Sequence, residues 1–181
     1  MVKGNKAFLA LVALAGMLLA LPPAAAQRLK TYRHRPEAPG IAYLVRVEKG
    51  VIKLTNEVRR KNGLPVLTRE PRLCRLARQY CDDMLLRRFF SHVNPEGQTP
   101  QERLRQGYPY SLEAVGENIY GADGSEPLET ELLARIMVDS WMSSPGHRRN
   151  ILNPEFTDIG VGVAALGKQL RATQIFAKLK N

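Results

Sequence analysis

The stretch Ile159-Gly160-Val161-Gly162-Val163-Ala164 sets β-branched apolar residues at every second position and very small residues between them. A period of two is the signature of a strand. The glycines on its other face leave room for a helix to approach the backbone closely. Gly167-Lys168 follows as a turn, and Leu170 to Ala177 reads as the second strand of a hairpin.

Upstream the period changes to that of helices. Val47, Val51, Leu54, Thr55 and Val58 recur at helical spacing, predicting a first helix over about 45–61, with Gly63 placed for a left-handed C-terminus. A second helix is predicted over about 70–88. Its stripe is Leu73, Leu76, Ala77, Tyr80 and Met84, with Arg72, Arg75, Arg78, Asp82 and Asp83 facing water. Thr99-Pro100-Gln101-Glu102 is a capping box that opens a short third helix ending at Gly107. A fourth helix is expected over 127–142, turning Leu132, Leu133, Ile136, Met137 and Trp141 inward. Ser144-Pro145 can cap one more helical turn through Ile151, and a short strand is expected around Asn118-Ile119-Tyr120. Helices come first and strands close the chain. The class is therefore α+β, helices stacked on a small, mainly antiparallel sheet.

The N-terminus has a different character. Lys3 and Lys6 precede an uncharged apolar run from Ala7 to Leu21, then Pro22-Pro23 and Ala24-Ala25-Ala26. This is the order of a cleavable signal peptide, expected over 1–26, and export to a periplasm or out of the cell follows from it. The run is shorter than the about 20 residues of a spanning helix, so an uncleaved anchor is the secondary reading. No other run is long enough to span a bilayer. Residues 27–44 carry Arg28, Lys30, Arg33, His34, Arg35, Pro36 and Pro39 without any period, and read as a flexible basic linker before one domain over 45–181.

The net charge is +10. Such a surface suits an anionic envelope polymer, a lipid headgroup or an acidic glycan. The cations are scattered, without the aromatic-interleaved stripe of single-strand binders, which argues against nucleic acid. Cys74 and Cys81 lie seven residues apart in one predicted helix. That spacing puts their Cα atoms ~10.5 Å apart along the axis. A disulfide needs about 7 Å or less. Buried free thiols are expected instead.

His92, in Phe90-Ser91-His92, and His147, in Ser144-Pro145-Gly146-His147, both fall outside apolar stripes, and Glu117 sits in Gly116-Glu117-Asn118-Ile119. Imidazole and carboxylate can ligate a divalent metal. They serve equally as general acid and base. The plainer alternative is that each histidine hydrogen-bonds a loop backbone.

The ordered fragments Asn56-Glu57-Val58-Arg59, Phe90-Ser91-His92, Thr99 to Leu104, Gly116-Glu117-Asn118-Ile119, Trp141 to Leu152 and Ile159 to Val163 resemble the CAP superfamily. That superfamily comprises the cysteine-rich secretory, antigen 5 and pathogenesis-related proteins, whose domain is also called SCP. The likeness covers about 48–178 and is nearest to the compact bacterial branch. It implies a three-layer α-β-α sandwich with an open cleft carrying two histidines and up to two acids. His92 and His147 match the histidines and Glu117 one acid. The second acid, three residues after a helical Trp, would fall on Ser144, so the tetrad becomes a triad. The triad can hold zinc or another divalent metal with partial occupancy, Ser91 or Asn118 orienting the imidazoles.

Three functions follow as expectations. The first is a monomeric binding module for a metal, an envelope lipid or a glycan. The second is an extracytoplasmic hydrolase using His92, Glu117 and His147 on water. No HExxH or GxSxG motif is present, and Ser143 or Ser144 reads as a helix cap rather than a nucleophile. The third is a basic structural envelope protein. Trp141 is expected in the core, and Asn150 is expected to fix the turn after His147.

Overall fold

The computed structural model describes residues 39–109, 111–124 and 128–179. The signal peptide expected over 1–26, His34 and most of the linker lie outside them. The elements in order are α1 (Pro39–Lys61), β1 (Thr68–Arg69), α2 (Pro71–Leu86), α3 (Pro100–Gly107), β2 (Leu112–Asp123), α4 (Thr130–Ser143), α5 (Pro145–Ile151), β3 (Asp158–Leu166) and β4 (Gln169–Leu179).

The sheet order is β1-β3-β4-β2. The β3–β4 hairpin turns at Gly167, and β2 runs antiparallel to β4 with Glu117 opposite Ile175 and Asn118 opposite Gln174. Only β1 is parallel, pairing Thr68 with Asp158 and Arg69 with Ile159, so the sheet is mixed though mainly antiparallel. Ile159, Val161, Val163, Ala172 and Phe176 face one core together with α1, α4 and α5. The opposite face meets α2 and α3 through Ile175, Ala177 and Ile119. These are the three layers of an α-β-α sandwich.

Two local signals work as expected. Gly63 adopts φ 70°, with its own N–H on Arg60 O and the Leu64 N–H on Arg59 O, a Schellman end to α1. The Thr99 capping box is complete, its hydroxyl and Glu102 each taking the other's backbone N–H.

Other expectations are corrected. Helix α1 starts at Pro39, not at 45, because Tyr43 and Leu44 continue its apolar stripe onto the core and the Tyr43 hydroxyl donates to Leu128 O. The segment expected to be linker is therefore helical from Pro39. Helix α2 spans Pro71–Leu86, within the expected 70–88. Helix α4 starts at Thr130, and Leu132 and Ile136 are exposed rather than inward. Small Ala134 and Val138 occupy the interface instead, and Ala134 Cβ lies against Gly50 of α1. Strand β2 is twelve residues long rather than a short segment around 118–120. Arg78, expected to face water, is paired with Glu48.

Glu48 is itself buried. It accepts from Arg78 Nε at 2.7 Å and from the Val163 N–H at 3.1 Å. The second bond covers the β3 edge beyond the point where β1 ends, where an unpaired N–H would otherwise be stranded. Cys74 and Cys81 are separate buried free thiols, and Cys81 Sγ donates toward Gly162 O at 3.3 Å.

Candidate functional site

The site forms at the outer edge of β2, where the two helical layers meet. Successive strand residues face opposite ways. Glu117 therefore points to the α2–α3 layer and Asn118 to the α4–α5 layer. The loop after α2 brings in His92, and the first turn of α5 brings in His147. Their ring centroids lie 5.9 Å apart with planes tilted at 56°.

Glu117 is buried, and both its oxygens are engaged. Oε1 lies 2.9 Å from His92 Nδ1, and Oε2 accepts from Arg103 Nη2 at 2.6 Å. Because the carboxylate accepts, the contact assigns the proton to Nδ1 and leaves His92 Nε2 as the free nitrogen of the neutral ring. The His92 side chain remains 44 % exposed, against 2 % for Glu117. Burial, and secondarily His92, lowers the His147 pKa below the ordinary 6.5. His147 is thereby held toward its neutral form near neutral pH.

A second ring of contacts holds these groups. Arg103 Nη1 donates to His92 O at 2.6 Å and to Gln98 O at 3.0 Å, and its guanidinium lies 3.4 Å over the Tyr80 ring. The Tyr80 hydroxyl donates to Ser91 O at 2.6 Å, and burial pushes its pKa up to about 12. Asn94 and Gln98 close the loop between them through a pair of side-chain bonds. On the other face, Asn118 Nδ2 donates to His147 O and to Gln174 Oε1. Asn150 Nδ2 donates to Glu117 O and Asn118 Oδ1, and Trp141 Nε1 donates to Ile119 O at 2.9 Å. The carbonyls along the free edge of β2 are thus covered by side chains.

The structure brings His92, Glu117 and His147 together. It turns the Glu117 oxygens toward His92 and Arg103, away from a shared centre with both rings. No group of three or more His, Cys, Asp or Glu among the described residues is disposed to hold a metal ion. The two imidazoles form a pair, with the carboxylate behind one of them. Asn118 reaches the backbone of His147 rather than its ring, and Ser91 donates no bond to His92 but accepts the Val93 N–H. Ser143 Oγ donates to Asp139 O, and Ser144 occupies the N-cap of α5 without a side-chain capping bond.

Sequence reasoning by periodicity missed Arg103 and Tyr80. Arg103 sits on a short polar helix and reads as solvated, while Tyr80 lies on an ordinary core stripe. The usable signal was the Thr99 cap, which fixes the direction of α3 and so aims its second turn at the His92 loop.

Residues 52–176 match the family model described as CAP, the cysteine-rich secretory protein family. The chain is 37% identical over 145 residues to the Bacillus subtilis (strain 168) protein YkwD, a match covering 80% of this chain and 51% of that protein. It is 34% identical over 116 residues to the membrane protein YlbC of the same organism, covering 64% of this chain and 31% of YlbC. The chain thus spans about half and about a third of these two relatives. Among solved structures, an extracellular SCP-domain protein of Bacillus anthracis str. Ames superimposes with a TM-score of 0.58 at 30% identity, covering 73% of this chain and 40% of the other. An outer surface protein of Borrelia burgdorferi gives 0.64 at 25% identity, covering 74% of this chain and 93% of the other. The fold, the ordered motifs and these matches lead to one assignment: the chain is a bacterial member of the CAP superfamily.

Proposed function

We propose that this is an extracytoplasmic binding module whose cleft takes a divalent cation, zinc foremost, between Nε2 of His92 and the ring of His147. The observation that carries the reading is the 2.9 Å contact of His92 Nδ1 with Glu117 Oε1, beside a second imidazole at 5.9 Å. A carboxylate behind a ligating histidine fixes its tautomer and raises its basicity. Zinc accepts imidazole readily and leaves further positions for oxygens of a bound glycan or lipid headgroup. Export is supported by the Lys3–Ala26 pattern and by the extracellular and outer-surface neighbours. No helix among the described residues is long and apolar enough to cross a membrane.

Zinc titration by calorimetry tests this reading. One site per chain is expected, weakened at least about tenfold by His147→Ala, since metal affinity depends on each ligand. Equal affinity in wild type and variant removes His147 from the site.

A second reading has its own observation. An imidazole backed by a buried carboxylate is also the arrangement of a general base. Here His92, with Glu117 behind it, would deprotonate a water beside His147. Turnover of a peptide, ester or cell-wall substrate, lost in His92→Ala, is what this reading requires. A third, structural reading draws on charge. Arg46, Lys49, Lys53 and Arg60 are carried along α1, a row of cations suited to an anionic envelope polymer. Retention on such a polymer that persists at about 1 M salt counts against it.

A further inference from the structure

His92 lies in a loop without regular structure, yet a site at this position needs a fixed imidazole. We propose that Arg103 is the positioning residue of the cleft, setting the His92 backbone and the His92 ring through one guanidinium. It holds the backbone by donating to His92 O at 2.6 Å and Gln98 O at 3.0 Å. It holds the ring through Glu117, whose Oε2 it engages at 2.6 Å while Oε1 faces His92 Nδ1.

Arg103 is in turn fixed on three sides. Its side chain is 15 % exposed, and its guanidinium carbon lies over the Tyr80 ring, 3.4 Å from the centroid. Tyr80 is tied to the same loop through Ser91 O. The helix that carries Arg103 is anchored by the Thr99 capping box at one end and by buried Leu104. A planar fork that serves two carbonyls and a carboxylate together is a task for arginine. A lysine ammonium is a point charge on a flexible stem. Arg103 also fixes what Glu117 does. With one oxygen on the guanidinium and the other on His92, the carboxylate orients the imidazole instead of entering the cleft as a ligand.

The proposal rests on the binding reading only for its second measurement. The first uses metal-free full chain and long-range ¹⁵N correlation of the histidine rings at fixed pH. For the neutral ring, wild type is expected to show His92 as a single tautomer with the proton on Nδ1. Arg103→Met, which keeps an unbranched apolar chain of similar length beside Tyr80, is expected to add the Nε2–H tautomer and broaden the His92 signals, with His147 little changed. A single, sharp Nδ1–H form in that variant overturns the proposal. Arg103→Lys is the second variant and is expected to give an intermediate result. Failure of both to fold, judged by far-UV circular dichroism, also overturns it in favour of a purely structural role.

The second measurement is zinc affinity. Arg103→Met and Glu117→Gln are each expected to weaken binding about 10–100-fold, the usual cost of losing an orienting partner. The double variant should lose no more than the larger single loss, because both act through one imidazole. Losses that multiply overturn the shared route. If wild type binds no zinc while the tautomer still changes in Arg103→Met, the metal reading falls and the positioning role stands.

Discussion

Replacing Gly162 with alanine inserts one methyl group at the tightest contact between strand and helix. A Cβ built there lies 2.2 Å from Arg78 N, 2.4 Å from Ala77 C and 2.7 Å from Arg78 Cα, all backbone atoms of α2. Backbone cannot rotate aside as a flexible side chain can. Helix α2 must therefore retreat by roughly 1 Å before ordinary van der Waals contact returns. That retreat opens a gap along Leu73, Ala77 and Cys81, all with no exposed surface, and stretches the Cys81 contact to Gly162 O. Overpacking of this kind typically costs about 1–3 kcal/mol, and an immovable obstacle places Gly162→Ala at ~3 kcal/mol or above. For a domain of this size that corresponds to a fall in Tm of about 10 °C. Thermal and urea unfolding followed by circular dichroism measure it, with Gly40→Ala as the control. Gly40 lies in helix α1, and a Cβ there meets nothing within 4 Å, so that change should be neutral or mildly stabilising. Gly160→Ala meets Leu73 and Cys74 in the same way and drives α2 in the same direction. The double variant should consequently cost less than the two singles together. A Gly162→Ala protein that unfolds within about 1 kcal/mol of wild type, beside its Gly40→Ala control, refutes the close-packing argument.

Arg59 is fully buried and donates to the carbonyls of Pro65, Ile151 and Asn153 at 2.8 Å each, tying the end of α1 to the segment after α5. Arg59→Met strands those carbonyls and should cost about 3 kcal/mol in urea unfolding; a loss below about 1 kcal/mol contradicts this. Burial raises the pKa of both thiols, most strongly Cys81, above the ordinary 9.0. The folded state then holds protons that the unfolded state releases, so stability is full below pH 9 and falls as pH rises past it. Cys81→Ala should flatten that alkaline slope, and an unchanged slope removes Cys81 as its source. Native protein should resist maleimide at both cysteines, react at both in urea, and keep its Tm under reducing agent; fast native labelling contradicts the burial.

The parts of this fold legible from sequence are those ruled by neighbours along the chain. The alternation at Ile159–Val163, the Thr99 box and the left-handed Gly63 are local, and they stand where expected. Strand β1 has two residues and no period, so only its pairing with Asp158 and Ile159 makes it a strand. The ends of β2 escaped for a similar reason: Leu112–Val115 and Gly121–Asp123 are strand because β4 pairs with them. Leu132 and Ile136 misled because α4 carries apolar residues around most of its girth. The choice of inner face then fell to the small residues that let α1 approach. His92, Glu117 and His147 stood out as chemical types and by their order along the chain, since no spacing links groups so far apart. The ion pairs of Arg103 with Glu117 and of Glu48 with Arg78 are tertiary contacts of polar helix residues, which hydrophobic periodicity treats as solvent.

A site whose imidazoles come from a loop and a short helix can be rigid only if something rigid connects them, and here that is the polar seam along one face of the sheet. Thr55 Oγ1 of α1 accepts from Gln174 Nε2 at 2.8 Å, Gln174 Oε1 accepts from Asn118, and Asn118 Oδ1 accepts from Asn150. Thr55, Gln174 and Asn118 have no exposed surface, so each broken link would strand a polar group away from water. The seam ends on the carbonyls of Glu117 and His147 and therefore fixes strand and α5 relative to each other. On the opposite face Arg103 fixes the same strand residue to the His92 loop. Glu117 is thus held by its backbone from one layer and by its carboxylate from the other. The separation of the two imidazoles is then set by the sheet rather than by the His92 loop or by α5 alone. A site held in this way keeps the spacing of its imidazole pair independently of the exposed loop around it.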